Sequence, residues 1–466
     1  MPEKYHIKTT YVKPRLPRIG RYGVVDWRED CARCHNCVKK ACVYDKYREE
    51  TTFIHDLDEV HTLYYECMGC FSCIQNCTKN LLMISVNSEY KNLGNEYWTP
   101  NIFSNIWLEA ETGKVPVSGA GYRGKFSGQG FDSMWTDMSE IVRPTRDGIH
   151  GREYISTSVD IGKKLFYLSF DQDKLTSTPP PLISIPFPVI FDMPSDKHTL
   201  PQLDPYILET AKQTSLIAII DSKKWDAIKL ENKEDYLGNV AFFLESGTVD
   251  LSKELIRQTR LIEIPDGKEV LHNATKLIKE FPESVLAVRV PLDKNAIERV
   301  EKLTLAGIDT IHLVGDLNGY ELNAKEPRFI KDMIREIHAM LIKNEKRDEV
   351  TLIAGGGIAM SEHVAKAIIC GADLVSVNIP LMIAVECHLC DSCKPGDFCP
   401  ARLDKQLEFG YGSGRMINLI GAWYWQMVEL MGAMGMREAR RLRGDVGRAM
   451  FKDELEEEIY GPIFRK

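Results

Sequence analysis

The chain has 466 residues, 44% of them hydrophobic and 27% charged, with a formal net charge of −8. That length allows two or three domains and at least one sizeable core, and the acidic balance argues against a nucleic-acid surface. The N-terminal Met1-Pro2-Glu3-Lys4-Tyr5-His6 lacks the apolar core of a secretory signal, so a cytoplasmic location is expected.

The first 30 residues are basic and punctuated by proline, which reads as an extended arm. The cysteines follow. In a reducing compartment they are not expected to form disulfides, and twelve of the thirteen fall into three tight runs. The first run is Cys31, Cys34, Cys37 and Cys42; the second is Cys67, Cys70, Cys73 and Cys77. Two-residue gaps let one tight loop aim three thiolates at three corners of a cubane, and the fourth cysteine closes that cluster or the one of the other run. Zinc is the competing reading, but zinc modules separate two cysteine pairs by a longer insert, whereas each run here holds four ligands together. Two 4Fe–4S clusters in a ferredoxin-like module over residues 1–90 are therefore predicted.

From Asn92 to Lys164 the chain is rich in Gly, Ser, Asp and Arg and reads as an ordered, loop-dominated passage, with Trp98, Phe103, Trp107, Phe126, Phe131 and Trp135 available to pack. Within it, Gly119-Ala120-Gly121-Tyr122-Arg123-Gly124 fits a dinucleotide-binding pattern but lacks the flanking strand, helix and acid, so no NAD(P) site is predicted.

A regular rhythm then begins. Apolar runs at Leu182–Ile190, Leu216–Ile220, Val240–Leu244, Leu261–Ile264, Val285–Val290, Thr310–Val314, Val350–Ala354 and Leu374–Asn378 alternate with segments of helical spacing, clearest at Ile330, Met333, Ile334, Ile337, Met340 and Leu341. This predicts an α/β fold, a parallel (β/α)8 barrel over residues 91–400, with a doubly wound open sheet as the alternative. The working face of such a barrel lies at the C-terminal ends of its strands. Those ends carry Asp192, Asp221, Glu245, Asp266, Asp293, Gly315-Asp316-Leu317-Asn318-Gly319 and Gly355-Gly356-Gly357. The three glycines either cradle a phosphate with backbone N–H groups or make a tight turn.

The third run, Cys387, Cys390, Cys393 and Cys399, begins nine residues after the last predicted strand and offers ligands for a further 4Fe–4S cluster, or for 3Fe–4S with one ligand fewer. Cys370, alone in an apolar helix, reads as core. Residues 401–466 form a C-terminal helical segment. Its apolar stretch Met416–Met436 contains Asn418, Gln426 and Glu429, which argues against an integral membrane protein.

Two long segments carry a family resemblance. The stretch from Gly119 to Gly162 resembles the lead-in to the FMN-binding synthase domain of glutamate synthases, and Arg415–Phe451 is similar to that domain's closing helices. With its N-terminal cluster module, the chain looks like the archaeal-type form, in which the synthase, glutaminase and GXGXG domains are separate chains; N-methylglutamate synthase has a related subunit. The resemblance implies FMN in the barrel and reduction of 2-iminoglutarate, with the third cysteine run at the family's 3Fe–4S position.

The chain departs from the family at several site positions. Phe191-Asp192-Met193-Pro194-Ser195-Asp196 replaces a small-residue turn, Asp221-Ser222-Lys223-Lys224 a Gly-Glu-Gly-Gly run, and Pro265-Asp266-Gly267-Lys268 a Gly-Gln-Gly-Ala-Lys run. Arg289 stands in the place of the active-site lysine, Leu317-Asn318-Gly319-Tyr320-Glu321 replaces Gly-Gly-Thr-Gly-Ala, and Asn378-Ile379-Pro380 replaces a Gly-Thr phosphate contact. The expectation is an iron–sulfur electron-transfer subunit of an oxidoreductase complex, fed by a ferredoxin or flavoprotein donor and working in a hetero-oligomer, without its own 2-iminoglutarate chemistry. The alternative is a catalytic FMN and iron–sulfur subunit, with Arg289, Gly355, Gly356 and Gly357 at the cofactor.

Overall fold

A computed structural model describes residues 5–17, 19–26, 32, 34, 36, 38–44, 67–115, 127–136, 154–165, 168–176, 179–192, 203–245, 247, 249, 251–390, 393, 398–403, 405 and 407–464. They fall into two compact units. One comprises Met1–Val12, Asn105–Cys387 and Asp391–Lys466; the other comprises Lys13–Ser104 and His388–Cys390.

The larger unit is built on a closed barrel of eight parallel strands: β1 (Val189–Phe191), β2 (Ala218–Asp221), β3 (Val240–Phe243), β4 (Leu261–Pro265), β5 (Val285–Pro291), β6 (Thr310–Val314), β7 (Thr351–Gly355) and β8 (Leu374–Val377). Closure is decided at β1, which pairs in parallel with β8 on one side and with β2 on the other, so an open sheet is excluded. The strands are buried on both faces and read as continuous Val/Ile/Leu runs, as expected when helices cover a parallel sheet.

Two sequence expectations needed adjustment. The apolar run Leu182–Ile190 is two strands: Leu182–Ile185 pairs antiparallel with Val159–Gly162, and only Val189–Phe191 joins the barrel. Pro186 and Pro188 divide them, since proline offers no N–H to a ladder. The passage between Asn92 and Lys164 is less loop-dominated than its composition suggested, because Pro100–Thr112 is a helix. Ile102, Phe103, Ile106 and Ala110 form its buried stripe, and Pro100 suits a first helical turn because its missing N–H has no helical partner there.

The helical layer includes α1 (Asp204–Thr214), α2 (Val270–Glu280), α3 (Ala296–Leu305), α4 (Ile330–Lys343) and α5 (Ser361–Cys370). The predicted stripe on α4 is the buried one, with Ile330, Met333, Ile334, Ile337 and Leu341 against the barrel. Between β2 and β3 the connection is two 3-10 stretches instead of an α-helix. The long helix α6 (Phe409–Ala433) buries residues around most of its circumference, including Met416, Leu419, Ile420, Trp423 and Met427, and packs on α1. Among the described residues no helix is long and apolar enough to cross a membrane. A further helix, α7, spans Lys452–Phe464.

The described residues of the smaller unit include little regular structure. Tyr22–Asp26 pairs antiparallel with Leu82–Val86, and two one-turn helices, Val38–Ala41 and Ser72–Gln75, follow cysteine-bearing turns. Gly69 has φ +69°, and a Cβ there would lie 2.8 Å from the Tyr22 ring, so glycine is required beside Cys70.

Candidate functional site

Cysteine constellations in the smaller unit

Cys31 and Cys37 lie outside the described residues; Cys34, Cys42, Cys67, Cys70, Cys73 and Cys77 lie within them and form no disulfide. The two runs interleave. Cys67 and Cys73 each feel the charges of Cys70 and Cys42, so the last cysteine of the first run stands with the first three of the second. Cys34 Sγ lies 3.6 Å from the hydroxyl of Thr78, next to Cys77, which sets the last cysteine of the second run beside the first run.

The environment suits inorganic sulfide-bridged iron. Burial first, and then the neighbouring Cys67, push the Cys73 thiol up to about 11; burial also raises Cys67. Thiols held protonated among other thiols become ligands when a cation compensates the thiolate charge. Backbone N–H groups point at cysteine sulfurs, from Gly69 to Cys67 at 3.4 Å and from Leu81 to Cys77 at 3.3 Å, the kind of donor that would tune a bound cluster. Phe71, between Cys70 and Cys73, takes a left-handed φ of 61°, a backbone cost consistent with a ligand loop.

The third run is described at its own positions. Cys387 is buried at the end of a turn in which its N–H donates to Met382 O at 3.1 Å. Cys390 is exposed, and Cys393 and Cys399 are half-buried. Leu403 N–H donates to Cys399 Sγ at 3.4 Å. Glu386 and Leu389, on either side of Cys387, have positive φ of 73° and 50°. Cys370 is buried in α5 with its thiol 3.7 Å from the Met134 sulfur, away from these runs in sequence and apolar in setting.

The mouth of the barrel

The C-terminal half of the barrel bore is polar. Arg289, on β5, donates through Nε to Glu263 Oε1 at 3.0 Å and through Nη2 to Glu263 Oε2 at 3.2 Å, and its Nη2 also donates to Asp192. Glu263 Oε1 also meets His312 Nδ1 at 2.7 Å, and His312 Nε2 meets Ser376 Oγ at 2.7 Å. Burial pushes the Glu263 carboxyl up, but Arg289 and then His312 more than offset it and hold the group well below the usual carboxylate range. Burial acts against the Arg289 charge, and Asp192 and Glu263 overcome it and strengthen its hold on the proton. An ionised Glu263 only accepts, so His312 Nδ1 carries a proton. Ser376, His312 and Glu263 thus stand in the order of a nucleophile relay, but all three are buried within the barrel.

Other charges at the mouth are also engaged. Lys223 pairs with Glu245, and Arg299 bridges Asp266 and Asp293 at 2.9 Å each. Glu321 holds Arg328 at 3.0 Å. Asp221 caps Lys223 N–H at 3.0 Å, and Asp316 accepts from the N–H groups of Asn318 and Tyr320 at 2.9 and 2.8 Å. Met193, Pro194, Ser195 and Asp196 lie outside the described residues.

Gly355, Gly356 and Gly357 lie against the loop that follows β6. Gly315 N–H donates to Gly355 O at 2.9 Å and Gly357 N–H to Leu317 O at 3.4 Å. Gly356 and Gly357 have φ of +107° and +70°; a Cβ on either would come within 2.6 Å of a carbonyl oxygen, of Asp316 and Asn318 respectively. The glycines therefore admit a neighbouring loop. After β8, Asn378 Oδ1 takes the N–H of Ile379 at 2.6 Å, and Pro380 has none to offer.

Asp132, Glu362 and His363 gather at the start of α5, and their side chains are close enough to suggest a metal. The hydrogen bonds give another account. Ala359 N–H donates to His363 Nδ1 at 3.2 Å, so the proton sits on Nε2, which donates to Asp132 at 3.0 Å. Burial opposes the Asp132 charge, but this bond and Lys366 hold its carboxyl below the usual range. The helix N-terminus is thereby faced by two carboxylates, which complement its dipole as an anion would.

Comparison with known proteins

The larger unit is a closed (β/α)8 barrel, and that architecture defines its fold class. Residues 330–437 match the model of a conserved region in glutamate synthase. The chain is 23% identical to the archaeal-type glutamate synthase (NADPH) of Dehalococcoides mccartyi, over 91% of this chain and 93% of that protein. It is also 23% identical to the archaeal glutamate synthase (NADPH) of Archaeoglobus fulgidus, over 91% and 92%. A shorter match to the Methanocaldococcus jannaschii protein of that name is 36% identical over 141 residues, 28% of each chain. Among solved structures, a flavocytochrome b2 variant aligns over 77% of this chain and 91% of its own, with 12% identity and a TM-score of 0.42. The chain is thus similar to glutamate synthases, over about nine-tenths of its length to the archaeal-type proteins and over residues 330–437 to the conserved region.

Sequence reasoning named Arg289 and the glycines at the barrel mouth. It missed Glu263, His312 and Ser376, which are polar residues inside apolar strand runs. Each stands in the middle of its strand, and a polar residue interrupting an otherwise apolar strand run is the signal that would have found them.

Proposed function

We propose that this chain is an iron–sulfur electron-transfer subunit of an oxidoreductase complex, with a barrel kept as scaffold and without flavin chemistry of its own. Its clusters would be held by Cys31, Cys34, Cys37 and Cys77, by Cys42, Cys67, Cys70 and Cys73, and by Cys387, Cys390, Cys393 and Cys399. Such clusters, when bound, take up and release single electrons. The protein's part is to supply thiolates, direct N–H groups at their sulfurs, and keep water from the buried ones.

One observation carries the flavin-free reading: the Arg289 guanidinium is held by Asp192 and Glu263 inside the bore. A cation already neutralised by two carboxylates is a poor clamp for a dicarboxylate substrate or an anionic flavin, and its guanidinium cannot act as a proton donor. The phosphate side agrees. In barrels of this kind phosphate binds the loops after strands seven and eight, and here Gly357 and Ile379 have their N–H groups engaged while the α5 N-terminus faces Asp132 and Glu362. On this reading, the described residues at the barrel mouth offer FMN a poor seat.

The full-length similarity favours one alternative, a catalytic FMN-dependent subunit reducing 2-iminoglutarate. Quantifying iron, sulfide and flavin on anaerobically purified protein separates the two. Iron and sulfide for three clusters with no flavin is the expected result. One FMN per chain, with turnover of 2-oxoglutarate on adding an ammonia donor, would reverse the assignment. Electrons are expected from a ferredoxin, a flavoprotein or another subunit; the Gly119–Gly124 pattern lies outside the described residues.

A further inference from the structure

The helix α7 carries an apolar face that its own fold leaves largely in water, beside a cluster of acidic residues. Leu455, Ile459 and Ile463 recur at four-residue intervals and so share one face. Leu455 is half-buried, but Ile459 and Ile463 are 56% and 62% exposed, although aliphatic side chains gain most from leaving water. The first half of the helix is acidic: Asp453, Glu454, Glu456, Glu457 and Glu458 accompany a single Lys452, whereas Tyr460, Gly461, Pro462 and Phe464 carry no charge.

The base of the helix is anchored. The strand before it, Ala449–Phe451, pairs antiparallel with Met134–Thr136. Arg335 on α4 stacks its guanidinium 4.0 Å over the Phe451 ring and bonds Glu454 at 2.7 Å. The first turn is therefore fixed to the barrel's outer layer, and the exposed isoleucines lie one and two turns beyond it.

We propose that α7 is a docking peg that seats its Leu455–Ile459–Ile463 face in an apolar groove rimmed by lysine and arginine on a different subunit of the complex. Charge selects this occupant. A second copy of α7 laid against the first would bring two strongly acidic helices together, and like charges at such distances repel. An anionic lipid surface or nucleic acid is opposed for the same reason. A protein groove with a basic rim satisfies both features, in the manner of an amphipathic helix in a groove. Three aliphatic side chains bury far less than the roughly 1,600 Å² of a standard interface, so the peg is one element of a larger contact.

The proposal rests on the chain being one subunit of a larger oxidoreductase. The test is a photocrosslink in the cells that make the protein, with the full chain carrying p-benzoylphenylalanine at position 459 or, separately, 463. The expected product joins this chain to one other subunit, at a peptide where apolar residues are flanked by Lys or Arg. The pair Glu456→Lys and Glu458→Lys should lower that yield at least tenfold, with Ile459→Ser doing the same at position 463. Iron and sulfide content should stay at the unsubstituted level in every variant, which shows that the body is folded. A crosslink to a second copy, to this chain's own barrel or to lipid overturns the proposal. So does the absence of any crosslink, or a yield unmoved by charge reversal. None of these readouts depends on flavin content, so the electron-transfer reading stands or falls separately.

Discussion

Glu263 grips Arg289 with both carboxylate oxygens, at 3.0 and 3.2 Å, in the centre of a barrel whose bore would ordinarily be filled by branched aliphatic side chains. Two carboxylates and a guanidinium in that setting are costly to desolvate and hold only as a set. Arg289→Met leaves Asp192 and Glu263 facing each other without their cation. It should destabilise the fold by roughly 3–5 kcal/mol in anaerobic urea titration. Adding Asp192→Asn and Glu263→Gln should recover most of that loss, because the charges then leave together. If the single substitution costs under about 1 kcal/mol, the bore is wet and the argument against a substrate clamp fails.

Gly356→Ala tests the loop contact that replaces a phosphate cradle. At φ +107°, with a Cβ site 2.6 Å from Asp316 O, alanine has to displace backbone. The expected loss is about 1–3 kcal/mol. Gly267→Ala is the comparison, since a Cβ there meets nothing within 4 Å. Equal midpoints for the two variants would show that the loop after β6 does not press on the glycines.

What could be read from sequence follows from how local each signal is. The barrel announced itself because buried parallel strands are continuous apolar runs, and α4 because its stripe repeats over four turns. The division of Leu182–Ile190 was missed despite Pro186 and Pro188, because an unbroken apolar run outweighed the missing N–H groups. Cysteine spacing suggested the ligands, but a linear spacing does not say which run completes which cluster. The Glu263–His312–Ser376 chain joins three strands, and only closure of the barrel brings residues 263, 312 and 376 within hydrogen-bonding distance. Arg289 was legible as a substitution; its capture by Asp192 and Glu263 was not, since pairing is a property of the bore.

The interleaving of the two N-terminal runs gives a spectroscopic prediction. Cys42→Ser should perturb the same cluster signal in low-temperature EPR as Cys70→Ser, because Cys42 stands with Cys67, Cys70 and Cys73. Cys77→Ser should share its altered signal with Cys34→Ser instead, given the contact between Cys34 and Thr78. Pairing of Cys42 with Cys34 in these spectra would mean that each run keeps its own cluster, against the arrangement seen here.

Glu109 offers a pH dependence that can be traced to one group. Its carboxyl is buried beside α6, where Trp423 Nε1 donates to it at 3.1 Å, and burial raises it from an ordinary 4.5 to about 8. In the unfolded chain this group loses its proton near its ordinary value, whereas in the fold it keeps it until about pH 8. Between those values the native state binds more protons, so stability is full below about 4.5 and declines as pH rises toward 8. The total is on the order of a few kcal/mol, at about 1.4 kcal/mol for each unit of displacement. Glu109→Gln keeps an acceptor for the Trp423 N–H and removes the proton linkage. It should match the parent near pH 5 and exceed it at about pH 8 in urea midpoint. A parent whose stability is flat across that window, or a variant that falls below it at the alkaline end, would show that the Glu109 carboxyl is ionised in the native state.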